Sequence, residues 1–123
     1  MGNKARILVV DDDARLIELY MIWLAAWGYD VTPAEGGREA LTLIDSDDYA
    51  LVICDVKMPE ISGIDVRKRL TEKHPDTPCI LITGCDREDN QITAMMNAKL
   101  DHYMEKPVDF SALRKVIEEA VKH

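Results

Sequence analysis

The sequence predicts an α/β domain, a parallel sheet of five strands covered by five helices, and three features carry that reading. Short apolar runs rich in β-branched residues recur as Ile7-Leu8-Val9-Val10, Leu51-Val52-Ile53-Cys54 and Ile80-Leu81-Ile82, the pattern of strands buried on both faces. Segments with apolar residues at three- and four-residue steps separate them. The two alternate in units of roughly 20 to 25 residues, with short connections, which makes the strands parallel and puts helices on both faces.

Strand one ends on Asp11-Asp12-Asp13. The first helix follows, with Leu16, Leu19, Tyr20, Trp23, Leu24 and Trp27 at helical spacing, Asp13 as its N-cap and Gly28 as its stop. It also carries Ile17, Met21 and Ile22, a stripe wider than one core face needs, so a well-buried helix is expected; a partner-facing patch is the other reading. Tyr29 to Pro33 reads as an edge strand, because Pro33 cannot donate to a ladder. After the break at Gly36-Gly37, a helix spans Arg38 to Asp45 with Ala40, Leu41 and Ile44 inward. Asp45-Ser46-Asp47-Asp48 is a solvated turn, lacking the glycine and distal glutamate of a calcium loop.

The third strand, Ala50 to Asp55, stops on a carboxylate and leads through the loop Val56 to Gly63 into a third helix carrying Ile64, Val66 and Leu70, ended near His74-Pro75. Pro78 to Thr83 is the fourth strand and Arg87 to Asn97 the fourth helix, with Ile92, Met95 and Met96 apolar. Asp101 to Met104 is a short fifth strand, and the last helix starts near Asp109 with Phe110, Leu113, Ile117, Ala120 and Val121 on one face.

A chain of 123 residues fits one domain over residues 1–123. Its 23 Asp and Glu against 15 Lys and Arg argue against nucleic acid or an anionic membrane as partners. The longest apolar run, Leu19 to Trp27, is too short to span a bilayer, and the start of the chain runs into a strand with no signal peptide. Cys54, Cys79 and Cys85 have no metal-ligand spacing and are odd in number, which fits a reducing cytoplasm.

In a parallel sheet every strand's carboxyl end lies on one edge, where ligands bind. Strand one delivers Asp11 and Asp12 there, strand three Asp55, strand four Thr83 and strand five Lys106. Clustered carboxylates raise one another's pKa, and a hard divalent cation on oxygen ligands, Mg²⁺ rather than Zn²⁺, relieves this. Strand one is not followed by a glycine-rich phosphate cradle, so the metal and Lys106 must attract phosphate to so acidic a site. A carboxylate there can attack a phosphoryl group, catalysis being mostly positioning and electrostatics.

Val9-Val10-Asp11-Asp12, Asp55 with Met58-Pro59 and Gly63, Thr83-Gly84, and Tyr103 with Lys106-Pro107 resemble, in order and spacing over the whole chain, the receiver domain of bacterial two-component response regulators, chemotaxis regulators included. The resemblance implies a flavodoxin-like sheet in order 2-1-3-4-5. It also implies that Asp55 accepts a phosphoryl group from a sensor histidine kinase, a phosphotransfer protein or a small donor. Asp12, Asp55 and the backbone carbonyl of Lys57 would bind Mg²⁺ directly, Asp11 mainly through water. Lys106 would pair with Asp55 and then the phosphoryl oxygens, Thr83 would turn its hydroxyl onto the phosphoryl, and Tyr103 would swing inward. The bond before Pro107 is expected to be cis. Such a domain is a signalling phosphoacceptor rather than a metabolic enzyme. It catalyses its own phosphorylation and dephosphorylation and switches the surface of the fourth helix, fifth strand and fifth helix toward an output domain, a partner or a second copy. Lys57 and Cys85 would tune phosphoryl lifetime through water access.

The chain departs from the family at Ala98-Lys99-Leu100, where a helix-capping glycine is usual. The run His74 to Pro78, with Thr83-Gly84 and Glu105-Lys106-Pro107, resembles receivers attached to regulators of the nitrogen-regulation type; both a stand-alone regulator and part of a longer chain fit. Other readings fit the residues less well. A haloacid-dehalogenase-type phosphatase would place its nucleophile at strand one with a hydroxyl residue following, which Asp11-Asp12-Asp13-Ala14-Arg15 lacks. An inert pseudo-receiver would lose one of Asp12, Asp55 or Lys106, and all three are present.

Overall fold

The computed structural model describes residues 4–84 and 101–121. Its elements in chain order are β1 (Arg6–Val10), α1 (Ala14–Ala26), β2 (Asp30–Ala34), α2 (Gly37–Ser46), β3 (Leu51–Asp55), α3 (Gly63–Lys73), β4 (Cys79–Thr83), β5 (Asp101–Glu105) and α4 (Phe110–Val121). The strands form one parallel sheet in the order β2-β1-β3-β4-β5, the order the family resemblance implies. Of the five helices expected, four lie among the described residues; the helix predicted over 87–97, with Met95, Met96 and the Ala98-Lys99-Leu100 departure, lies outside them.

Successive side chains of a strand point to opposite faces, and each apolar run therefore feeds two cores at once. Ile7, Val9, Leu51, Ile53, Ile80 and Ile82 pack on one face with Tyr20 and Leu24 of α1 and Leu113 and Ile117 of α4. Leu8, Val10, Val52, Cys54, Cys79 and Leu81 pack on the other with Ala40 and Ile44 of α2 and Val66 and Leu70 of α3. Helices on both faces follow from unbroken apolar strands. Pro33 sits on the edge strand β2 opposite Val9, as its missing donor requires. The helix ends also match the sequence: Asp13 accepts from the Arg15 amide at 3.0 Å, Gly28 takes φ +95° beyond α1, and Asp109 accepts from the Ser111 amide at 2.9 Å.

Helix α1 corrects one expectation. It buries Ile17, Tyr20 and Leu24, while Leu19, Met21, Ile22 and Trp23 are exposed, Ile22 by 66%. A helix lying on one sheet face offers it a stripe little more than about 100° wide, and these four fall off that stripe. Trp23 is partly covered by stacking on Phe110, ring centroids 5.5 Å apart. Among the described residues no helix is long and apolar enough to cross a membrane.

At the amino end of the sheet, Arg67 of α3 holds Asp101, the first residue of β5, through Nε at 2.8 Å and a second bond from Nη2. The Asp101 side chain is buried and that of Arg67 nearly so. Removing the guanidinium takes two charge-assisted hydrogen bonds from a buried carboxylate, so Arg67→Ala is expected to cost on the order of 3 kcal/mol in urea unfolding; a loss within 0.5 kcal/mol, typical of surface sites, would show that water reaches the pair.

Candidate functional site: an acidic pocket at the sheet edge

The connection leaving β1 runs through α1 on one face toward β2, and that leaving β3 runs through α3 on the other face toward β4, which opens a crevice at the carboxyl ends of β1 and β3. Asp11 follows β1 directly and is still in the ladder, its amide donating to the Ala34 carbonyl at 3.1 Å. Asp55 is the last residue of β3. Both are buried, and Asp12 beside them is exposed. One carboxylate oxygen from each of Asp11, Asp12 and Asp55 lies within 4.8 Å of the others. From the far side comes Lys106, its Nζ 3.1 Å from Asp55 Oδ2 and 3.9 Å from Asp11 Oδ2. A cavity of about 580 Å³ opens over the group, lined by Asp12, Asp13, Asp55, Lys57, Gly84 and Lys106.

Electrostatics follow from burial. Desolvation pushes the Asp11 carboxyl up to about 6; the Asp13 amide on its Oδ1 at 2.9 Å opposes this and the charge of Asp55 adds to it. Burial also raises Asp55, against the hydrogen bond and charge of Lys106. Burial alone would lower Lys106, but its bond to Asp55 and the charges of Asp11 and Asp55 hold it above its ordinary value. The site thus keeps a cation and resists full ionisation of its acids.

Backbone contacts fix the frame. The Lys106 amide donates to the Thr83 carbonyl at 2.7 Å, and the Lys106–Pro107 bond is cis, as expected. The Val56 amide donates to the Ile82 carbonyl at 2.9 Å and the Gly63 amide to the Val56 carbonyl at 2.8 Å. A Cβ on Gly63 would lie 2.3 Å from the Asp55 carbonyl oxygen, so α3 begins hard against the backbone of Asp55. Ser62 and Asp65 close a capping box there. On its other flank the loop meets α2: a Cβ on Gly37 would lie 2.5 Å from Ile61 Cβ.

Asp11, Asp12, Asp55 and Lys106 are therefore brought together, with Lys57 on the rim. Thr83 is buried at the end of β4, its hydroxyl donating to the Gly84 carbonyl at 3.0 Å, and Tyr103 on β5 is 39% exposed. Cys85 lies outside the described residues, and burial pushes the Cys54 thiol well up, as for a core cysteine. Sequence reasoning noted Gly63 without its packing role, although Ser62-x-x-Asp65 is a readable helix-start signal. It placed Tyr20 in the core without relating it to the acids.

The donor set suits a hard cation. The carboxylates supply oxygen alone, they are mutually repelling, and Asp11 Oδ2 has no hydrogen-bond partner among the described residues. This is the profile of a Mg²⁺ site rather than a zinc site.

A 2-1-3-4-5 sheet with acids at its switch point and a lysine opposite defines a class of small α/β domains that handle a phosphoryl group. The family profile of the response regulator receiver domain matches residues 7–118. The transcriptional regulatory protein ZraR of Klebsiella oxytoca is 34% identical over 122 residues, 99% of this chain and 27% of that protein. A CheY-like receiver domain structure from Methanospirillum hungatei superposes with TM-score 0.89 at 29% identity, over 98% of this chain and 95% of that one. The response regulator TrrA of Thermotoga maritima, solved in complex with Mg²⁺-BeF, has TM-score 0.79 at 33% identity, over 94% and 98%. The chain belongs to the receiver domain family of two-component response regulators, the phosphoacceptor domains of those systems. It spans about a quarter of the length of the ZraR relatives it matches.

The raised acid has a stability consequence. Folded Asp11, near 6, binds its proton more tightly than the unfolded chain at 3.8. Stability of the metal-free domain should fall as pH rises between these values, by up to about 3 kcal/mol from this residue, and stay low above. Urea unfolding from pH 4 to 7 checks this; Asp11→Asn should flatten the profile and be the more stable protein at pH 7.

Proposed function

We propose that residues 1–123 form a receiver in which Asp55 is the phosphoacceptor. The observation that carries this is the Lys106 ammonium 3.1 Å from Asp55 Oδ2, with oxygens of Asp11 and Asp12 within 4.8 Å of an Asp55 oxygen. An Asp55 carboxylate oxygen attacks the phosphorus of a phosphohistidine on a sensor kinase or phosphotransfer protein; the P–N bond breaks, the imidazole nitrogen keeps the electron pair, and an acyl phosphate forms. Small phosphodonors serve in the same way, and water then attacks the phosphorus of the acyl phosphate, breaking its P–O bond to release inorganic phosphate and restore the Asp55 carboxylate. Asp12, Asp55 and the Lys57 carbonyl would hold Mg²⁺, with Asp11 acting through water, and the metal would supply positive charge for the phosphoryl oxygens. Lys106 releases part of its bond to Asp55 and takes up a phosphoryl oxygen.

The phosphoryl group adds negative charge and strong acceptors. Thr83 exchanges its Gly84 partner for a phosphoryl oxygen, Tyr103 turns in from its exposed position, and the surface of β5 and α4 changes, together with the fourth helix that the sequence predicts outside the described residues. That surface serves an output domain, a partner protein or a second copy. The setting is the cytoplasm, and neither nucleic acid nor membrane is bound through this domain.

Intact mass after incubation with Mg²⁺ and acetyl phosphate tests this. A single phosphoryl adduct is expected, absent in Asp55→Asn and with a chelator. An adduct that persists in Asp55→Asn would remove Asp55 as the acceptor. No adduct, with the donor left intact, would make the domain a binding module.

A further inference from the structure

Beneath the acidic pocket lies a second buried polar group that the proposed phosphoryl chemistry does not use. Tyr20 of α1 is 1% exposed, and its hydroxyl has no hydrogen-bond partner among the described residues. Asp11 is likewise 1% exposed, and its Oδ2 also lacks one, the Lys106 ammonium being 3.9 Å away. Native interiors seldom leave a donor and an acceptor both unpaired.

Strand alternation puts the two on one side of the sheet. Ile7 and Val9 of β1 and Leu51 and Ile53 of β3 pack in the same core as Tyr20. Asp11 and Asp55 continue those rows by two residues, so their side chains emerge on the α1 face. Burial holds the phenol protonated, and the charges of Asp11 and, less, Asp55 add to this. A phenol kept neutral in that field is a permanent donor. Its ring is braced by the edge contact with Phe110, centroids 5.7 Å apart.

We propose that Tyr20 is a positioning residue for the acidic site, its hydroxyl donating to Asp11 Oδ2, directly or across one buried water, and so orienting that carboxylate for the cation. This rests on the receiver reading above. A carboxylate that serves a cation through water depends on its remaining hydrogen bonds for orientation. Asp11 Oδ1 has the Asp13 amide; Tyr20 supplies the bond for the other oxygen.

The test is Mg²⁺ binding by calorimetry to wild type, Tyr20→Phe, Asp11→Asn and the double variant. Tyr20→Phe keeps the ring and the Phe110 contact, and should weaken Mg²⁺ binding on the order of tenfold. The loss should vanish in the Asp11→Asn background, where there is no carboxylate left to orient. Unchanged affinity in Tyr20→Phe, or the same loss in both backgrounds, overturns the proposal. A crystal structure of the Mg²⁺-bound wild type decides it without either variant: Tyr20 Oη within hydrogen-bond distance of Asp11 Oδ2, or sharing a water with it, supports it, and any other arrangement overturns it. A wild type that binds no Mg²⁺ overturns the site reading itself, and this inference with it.

Discussion

The crowding of carboxylates at one end of the sheet is the constraint on which the site depends. Two acids are buried where the two central strands leave the core, and burial would drive both toward neutrality. Lys106, delivered by the loop after the edge strand β5, is the counterweight. Its ammonium bridges the sheet edge from β5 across to β3 and β1, so the geometry of the acids is tied to an element two strands away. A change of charge at Asp55 is therefore felt at β5 through a single side chain, which is a physical route from chemistry to surface.

The frame around Asp55 is rigid for a different reason. The loop after it is pinned between two helix starts, Gly63 of α3 against the Asp55 backbone and Gly37 of α2 against Ile61. Neither position has room for a side chain unless its neighbours move. The arrangement holds the carboxylate still on one flank, while on the other Thr83 ends the interior strand β4 and Lys106 follows the edge strand β5.

Most of this was legible in the sequence, because its signals are local. A β-branched run bounded by polar residues is a strand wherever it occurs, and the parallel sheet then collects Asp11, Asp12, Asp55, Thr83 and Lys106 on one edge without further information. Order 2-1-3-4-5 was not legible from periodicity and came from the family resemblance. What failed was the exposure of α1. Apolar residues at Leu19, Met21, Ile22 and Trp23 cannot be assigned to inside or outside until the sheet face beneath them is known, and that face has room for Ile17, Tyr20 and Leu24. The Arg67–Asp101 pair was equally hidden, since nothing local joins residues 34 apart in sequence. The resemblance quoted Gly63, yet the reason for glycine there is contact with a neighbouring backbone, which sequence alone does not display.

The placement of the aromatic residues on α1 gives the molecule an unplanned optical asymmetry. The chain has two tryptophans, and both belong to this helix: Trp23 within it and Trp27 at its end, their rings 5.9 Å apart. Phe110 joins them from α4 and touches Tyr20 in turn. The tryptophan emission of the chain therefore originates on one side of the sheet, at the helix that begins three residues after Asp11. It is an internal beacon for events on that side and nearly blind to the face covered by α2 and α3.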